Sequence, residues 1–444
     1  MRISASAFLF PVFLAVASFA PAATFYVAPA GDDAASGTAE KPFGSIQRAV
    51  RDVSAGDLVL VHGGKYVLTE KQIADMDRLW ASVILINRSG TEKKPIRIAA
   101  VEGEQPVFDF SEVKPADRRV IGFRITGSWV QVEGLEVTGV QVTIKGHTQS
   151  VCFQNEGSHN RFERLSMHDS QAIGFWIGKG SDNMVLNCDA YRNYDFTSEG
   201  GKGGNSDGFG CHVPRGSVNN VFRSCRAWFN SDDGYDCINA HEAVTFENCW
   251  AFYNGYSPEF KSLADGNGFK AGGYGDTPAE RLPKTIPRHV VRGCLAVRNK
   301  ASGVYSNHHP AGVDFFNNTA WRNKRNFNLQ GRMMDNKTEI AGRGHRVGNN
   351  LAFEAQAAEI VALDAEHSEV HHNSFDLPIK LSAADFLGLD EAELIKPRQK
   401  NGDLPEIKLL HLAKGSAAVD RGVDVGLPFH GKAPDLGAFE QAAP

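Results

Sequence analysis

The sequence predicts an all-β solenoid, a right-handed parallel β-helix, on three observations. A short motif repeats along the middle of the chain, its apolar residues alternate with the period of a strand, and its copies stand at the spacing of one solenoid coil. The copies read NMVLNCDAYRN from Asn183, NVFRSCRAWFN from Asn220, AVTFENCWAFYN from Ala243, HVVRGCLAVRN from His289, VDFFNNTAWRN from Val313 and HRVGNNLAF from His345, with a weaker one, NRFERLSMHD, from Asn160. Their central positions, Leu165, Cys188, Cys225, Cys249, Cys294, Thr319 and Asn350, lie 23, 37, 24, 45, 25 and 31 residues apart. The shortest intervals give one coil, and the longer ones mark coils with inserted loops. No coil can bury its own apolar face, so each stacks on the next and like residues form ladders about 4.8 Å apart.

The elements follow in chain order. Residues 1–23 carry one Arg, an apolar run from Ala7 to Ala20 and small residues at the end, the pattern of a secretory signal cut near Ala22 or Ala23. The run is too short and too interrupted by proline to anchor the chain, and no later segment spans a bilayer. The mature protein is therefore expected outside the cytoplasm, extracellular or periplasmic, with no membrane attachment. The stretch GTAEKPFGSIQRAVRDVSAGDLVLVHGGKY predicts a helix over Ser45–Val53, closing the open N-terminal end of the solenoid, and then a strand. Coils run on to about residue 375, so 24–375 is read as the catalytic domain. Residues 376–444 are read as a C-terminal segment packing on it, extended apart from a helix over SAADFLGLDEAEL with Ser382 as N-cap.

Seven cysteines in an exported chain suggest disulfides, but four of them occupy the same repeat position. Cys188, Cys225, Cys249 and Cys294 are expected to form an internal ladder of reduced thiols. The asparagines that close the copies, Asn193, Asn230, Asn254, Asn299 and Asn323, are expected at a turn, in a structural role.

A second aligned set carries the chemistry: DGFGC at Asp207, DGYDC at Asp233, NGFKA at Asn267 and SGVYS at Ser302. In a strand of period two, Phe209, Tyr235 and Phe269 point inward with Cys211, Cys237 and Ala271. The position between them then points outward, which stacks Gly210, Asp236, Lys270 and Tyr305 along the outside. Asp207, Asp232, Asp233 and Asp236 are drawn together, and so many adjacent carboxylates are costly without a cation. A set of hard oxygen donors with no histidine or outward thiol suits Ca2+.

The combination NSDGFG, NSDDGYD and GNGFKAGG, on a repeat of this period, resembles the family-9 polysaccharide lyases, which are pectate-lyase-like parallel β-helices. The resemblance covers most of the mature chain, including FYVAPAGDDAASGTAEKPFGSIQRAV near its start. It implies Asp207, Asp232, Asp233 and Asp236 as calcium ligands and Lys270 as the catalytic base. It also implies β-elimination on a polyuronide, pectate (polygalacturonate) first and rhamnogalacturonan I second, with an alkaline optimum because the lysine must be neutral to act. Lys202, Arg215, Lys261, Tyr256, Tyr305, His308 and His309 are further candidates for holding an acidic sugar chain, and the loop NGYSPEFKSLADGNG for walling the groove.

Two rival readings belong to other classes. A polygalacturonase-like hydrolase shares the aspartate motifs, but there a Gly-His-Gly segment stands where this chain has GNGFK. A non-catalytic, calcium-stabilised carbohydrate-binding solenoid accounts for the acids but not for the outward lysine. A net charge of -5 offers no basic field, so nucleic acid is excluded as a partner. The expected partner is an acidic polysaccharide, met by a monomer.

Overall fold

The computed structural model describes residues 22–441, so nearly all of the predicted export signal lies outside the described residues. Three long parallel sheets, of 12, 10 and 11 strands, wrap into one parallel β-helix. Each coil gives one short strand to each sheet. The first sheet runs from Thr24–Val27 to Glu369–His371, the second from Gly64–Thr69 to Leu351–Phe353, and the third from Trp80–Ile86 to Ala358–Val361, with a short antiparallel strand, Asp75–Met76, on its outer edge. Among the described residues, no helix is long and apolar enough to cross a membrane.

The expected cap is present as a helix over Ile46–Asp52. Ser45 stops the chain at its start by accepting a hydrogen bond from Arg48 N at 3.1 Å. The helix buries Ile46, Ala49 and Val50 against the first coils, covering apolar side chains that an open solenoid end would leave in water.

Inside the solenoid, like residues stack as the repeat requires. Phe209, Tyr235 and Phe269 form an aromatic column with ring centroids 5.0 and 4.7 Å apart, all fully buried. All seven cysteines are buried and unpaired. The Sγ atoms of Cys225, Cys249 and Cys294 approach the carbonyl oxygens of Val185, Phe222 and Phe246 in the preceding coil at 3.4 to 3.5 Å.

The register corrects one sequence assignment. Leu295 pairs with Thr319, so the residue that continues the cysteine ladder from Cys294 is Asn318, one position earlier. Asn318 Oδ1 accepts from Cys294 N at 3.0 Å, and the ladder passes on to Asn350 and Asn373. The backbone gives the reason. Every ladder residue follows a corner residue in the left-handed region, among them Asn187, Ser224, Asn248 and Gly293 with φ between 52° and 63°, and the next such corner is Asn317 at 51°. Thr319 points out of the solenoid instead, accepting from Ala438 N at 2.9 Å.

The second corner of the coil carries the asparagines. Asn193, Asn230, Asn254, Asn299 and Asn323 are completely buried, and each side-chain amide donates to the next side-chain oxygen at 2.9 to 3.0 Å. The preceding residues, Arg192, Phe229, Tyr253, Arg298 and Arg322, take φ between 48° and 60°. The amide column therefore offsets strain that the corner imposes on bulky residues.

The C-terminal segment lies along the second sheet. Phe386, Leu394, Leu409, Leu410, Leu412 and Leu436 pack on Trp250, Phe252, Leu295, Val297, Trp321 and Leu351. The helix expected over SAADFLGLDEAEL is absent. Two 3-10 turns, Ala383–Asp385 and Glu391–Ile395, replace it. Ser382 caps the first through a reciprocal bond with Asp385, but Phe386 and Gly388 bridge to Leu412 and Leu409, and this extended pairing is incompatible with a continuous helix. An ion triad pins the segment: Asp189 on the second sheet lies 2.7 Å from both Arg226 and Arg398. Burial alone would push the Asp189 carboxyl up, but the two guanidiniums hold it below the usual range.

Candidate active site

The acidic motifs fall on the third sheet at its strands Phe209–Cys211, Tyr235–Asp236, Phe269–Lys270 and Ser302–Tyr305. Gly210 pairs with Asp236, Asp236 with Lys270, and Lys270 with Tyr305. The outward column is thus the one read from the strand period.

Just before each strand, a side chain caps the coil that follows it. Asp207 Oδ1 accepts from Asp233 N at 3.1 Å, Asp233 Oδ1 from Asn267 N at 2.7 Å, and Asn267 Oδ1 from Ser302 N at 3.1 Å. Glycines 208, 234 and 268 follow because the coils approach too closely there for a side chain: a Cβ would lie 2.5 to 2.7 Å from the carbonyl oxygen of the next coil. The ladder fixes one oxygen of each carboxylate and leaves the other to face its neighbours.

Asp207, Asp232 and Asp233 are all buried and bring one oxygen each within 4.8 Å of one another, an arrangement able to hold a metal ion. Asp232 is set by the long loop that follows Asn254, through a bond from Asp265 N at 3.1 Å. Asp233 Oδ2 is buried with no hydrogen-bond donor in line among the described residues. The Lys270 ammonium faces it as an ion pair at 3.0 Å and also lies 3.1 Å from Asp236 Oδ2. Asp236 therefore stands beside the triad, joined to it through the lysine, and its second oxygen accepts from Ile238 N at 2.7 Å.

The electrostatics follow from burial without enough positive charge. Burial pushes Asp207 well above the usual carboxylate range, and Asp232, Asp236 and Asp233 add to it. Asp232 is raised by burial and by Asp233, and Asp233 by burial that Lys270 only partly offsets. For Lys270, burial favours the neutral amine, but Asp233 and Asp236 outweigh it and hold the pKa well above that of a free lysine. The buried carboxylate donor set, with one lysine serving four acids, fits a hard divalent cation.

Of the other candidates, Tyr305 stands next to Lys270 in the outward column. His308 lies at its edge against Glu339, at 2.5 Å. His309 does not face the groove: it is buried, with Nε2 on Pro287 O at 2.8 Å and Nδ1 accepting from Gly273 N at 3.0 Å. Lys202, Arg215 and Lys261 are exposed and Tyr256 is partly so. Sequence reasoning missed Asn267, whose side-chain Nδ2 also donates to Asp233 Oδ1 at 2.8 Å. The signal was present, since Asn267 opens the third aligned motif at the position of Asp207 and Asp233.

A buried acid cluster with a half-buried lysine beside it, on the outside of a β-helix wall, is an arrangement able to hold a cation next to a base. Comparison with known proteins identifies the family. Residues 25–350 match the family model described as Pel9A-like, right handed beta helix region. The chain is 32% identical over 424 residues to pectate lyase L of Dickeya dadantii (strain 3937), covering 94% of this chain and 90% of that one. A solved rhamnogalacturonan lyase superposes with a TM-score of 0.84 at 44% identity over 88% of this chain and 96% of its own, and pectate lyase Pel9A with 0.77 at 31% identity over 96% and 98%. The chain belongs to the Pel9A-like right-handed β-helix family, and it is a polysaccharide lyase.

Proposed function

We propose that this protein is an exported, calcium-dependent lyase that cleaves a polyuronide by β-elimination, with Lys270 as the base and Asp207, Asp232, Asp233 and Asp236 as the calcium ligands. One observation carries the reading: the Lys270 ammonium lies 3.0 and 3.1 Å from Asp233 and Asp236, beside the buried triad, on the outward face of the wall.

In a uronate the C5 proton lies next to a carboxylate. Lys270, as the free amine, takes that proton; the C5–H electron pair becomes the C4–C5 double bond. The C4–O bond breaks, and the leaving oxygen departs with its electrons and acquires a proton. When bound, Ca2+ supplies positive charge that neutralises the substrate carboxylate and relieves the aspartates' hold on the lysine proton. Lys270 is positioned for its role by Asp236 beneath it in the column and by the inward packing of Phe269, which fixes the strand. Tyr305, one coil on, bounds the site on the other side.

A hydrolase would need two carboxyl groups flanking a water. Here the carboxylates converge on one lysine, which favours elimination. The N-terminal signal pattern supports export. Polygalacturonate and rhamnogalacturonan I are the polymers to test, since relatives bearing both names are similar over most of the chain. Incubation with each polymer, with Ca2+ or with chelator, is expected to give ultraviolet-absorbing unsaturated ends only with Ca2+. New reducing ends without absorbance would overturn the elimination.

A further inference from the structure

Along the third sheet towards the N-terminus, the outward column beyond Asp236 continues through Gly210, Trp176, Gln154 and Arg124. Arg124 is already committed, lying 2.9 Å from Glu156 and 3.2 Å from Asp75. Close by, the rings of Trp80 and Trp176 meet with centroids 6.2 Å apart, both half-buried on the outside of the wall. The Arg119 guanidinium lies 5.3 Å from the centre of the Trp80 ring.

Arg119 is unlike the two arginines that meet Asp189 on the second sheet. Arg226 and Arg398 share Asp189, whereas Arg119 has no carboxylate partner and a buried Nε without a hydrogen bond among the described residues. Its burial pulls the pKa down, with no acid to offset it. A half-buried guanidinium left in that condition is costly, and a planar carboxylate presented from outside can pair with its two terminal nitrogens. Two adjacent indoles supply apolar faces against which the C–H side of a sugar ring can lie.

We propose, building on the lyase reading above, that Trp80, Arg119 and Trp176 form a distal subsite that holds a uronate of the polymer. The carboxylate pairs with Arg119 and the ring rests on the indoles. Trp176 is three strands from Lys270, about 14 Å at the strand spacing. A chain must therefore extend several sugars beyond the reacting bond to reach the subsite, and long chains bind better than short ones.

The test is calorimetric titration of the Lys270→Ala protein, in Ca2+, with a trimer and a decamer of galacturonate. The decamer is expected to bind about tenfold tighter, the effect of one charge-assisted contact. Arg119→Gln is expected to remove that advantage and Arg119→Lys to keep part of it, with melting temperatures little changed because Arg119 has no carboxylate partner among the described residues and only its contact with the Trp80 ring to lose. Trp80→Ala is expected to weaken the decamer and leave the trimer as it was. A decamer advantage that survives both Arg119→Gln and Trp80→Ala would overturn the subsite alone. If neither oligomer binds, the subsite and the polygalacturonate reading fail together, and the absorbance of the wild-type reaction with each polymer shows separately whether the chain is an eliminating enzyme.

Discussion

Asp189 and Asp233 are both carboxylates set into the wall of one solenoid, yet their surroundings differ in sign. On the second sheet, Asp189 meets two guanidiniums, each at 2.7 Å, and the C-terminal segment closes over them. On the third sheet, Asp233 sits with Asp207, Asp232 and Asp236, and one lysine serves the group. The first region has its countercharge built into the sequence and holds two parts of the chain together. The second is short of positive charge, which a fold tolerates only where something else provides it. Structural and functional acids are thus told apart by whether the charge balance closes within the protein.

Four measurements test that contrast. Lys270→Ala is expected to lower the rate of unsaturated-product formation by about 10²–10⁴-fold, the usual contribution of a general base. Lys270→Arg should fail to restore it, since a guanidinium does not give up its proton. Retention of full activity in Lys270→Ala would move the base elsewhere. On the structural side, Arg398→Ala leaves Asp189 paired with Arg226 alone and removes the tie to the C-terminal segment, so it is expected to cost about 1–3 kcal/mol in urea unfolding, with calcium dependence intact.

Calcium titration followed by thermal melting separates the two sites further. A hundredfold excess over the dissociation constant should stabilise the wild-type protein by about 2.7 kcal/mol. Asp207→Asn keeps the oxygen that accepts from Asp233 N but loses the charge, so it should abolish that gain while leaving the chelated protein as stable as before, or more so.

The smallest effect concerns pH in chelator. Asp207, Asp232 and Asp233 bind protons more tightly folded than unfolded, so their contribution to stability falls as pH rises from the ordinary carboxylate range through their raised values. Asp189 has the opposite sign: its contribution is present above the ordinary range and is lost as pH falls. Asp207→Asn should flatten the first slope, and Asp189→Asn the second. For the reaction itself, the proton held on Lys270 means that the rate should climb with pH into the alkaline range.

Much of this was legible beforehand because strand period and coil spacing are strict. Alternation placed Phe209, Tyr235 and Phe269 inside, and so put Asp236 and Lys270 outside, one coil apart. The slip from Asn318 to Thr319 arose where asparagine replaces cysteine in the ladder, although the alanine shared by NNTA and GCLA already sets Asn318 against Cys294. The C-terminal segment misled for another reason. Ser382 is a sound cap, but a cap does not show how far a helix continues, and Phe386 gains more by lying on the second sheet. Arg119 was silent because nothing in a sequence reveals that an arginine lacks a partner.

The column of buried asparagine amides has a consequence for how such a chain can diversify. Each asparagine locks its corner to those above and below, so the chain leaving it can wander before it re-enters the third sheet. Only a short turn separates Asn230 from Tyr235, whereas long loops lie between Asn193 and Phe209 and between Asn254 and Phe269, and the amides remain in register throughout. Insertions at these points fall beside the acid cluster without shifting a single strand. The molecule can therefore exchange the loops beside the acid cluster as freely as an antibody exchanges its own, while the lysine and the carboxylates stay where they are.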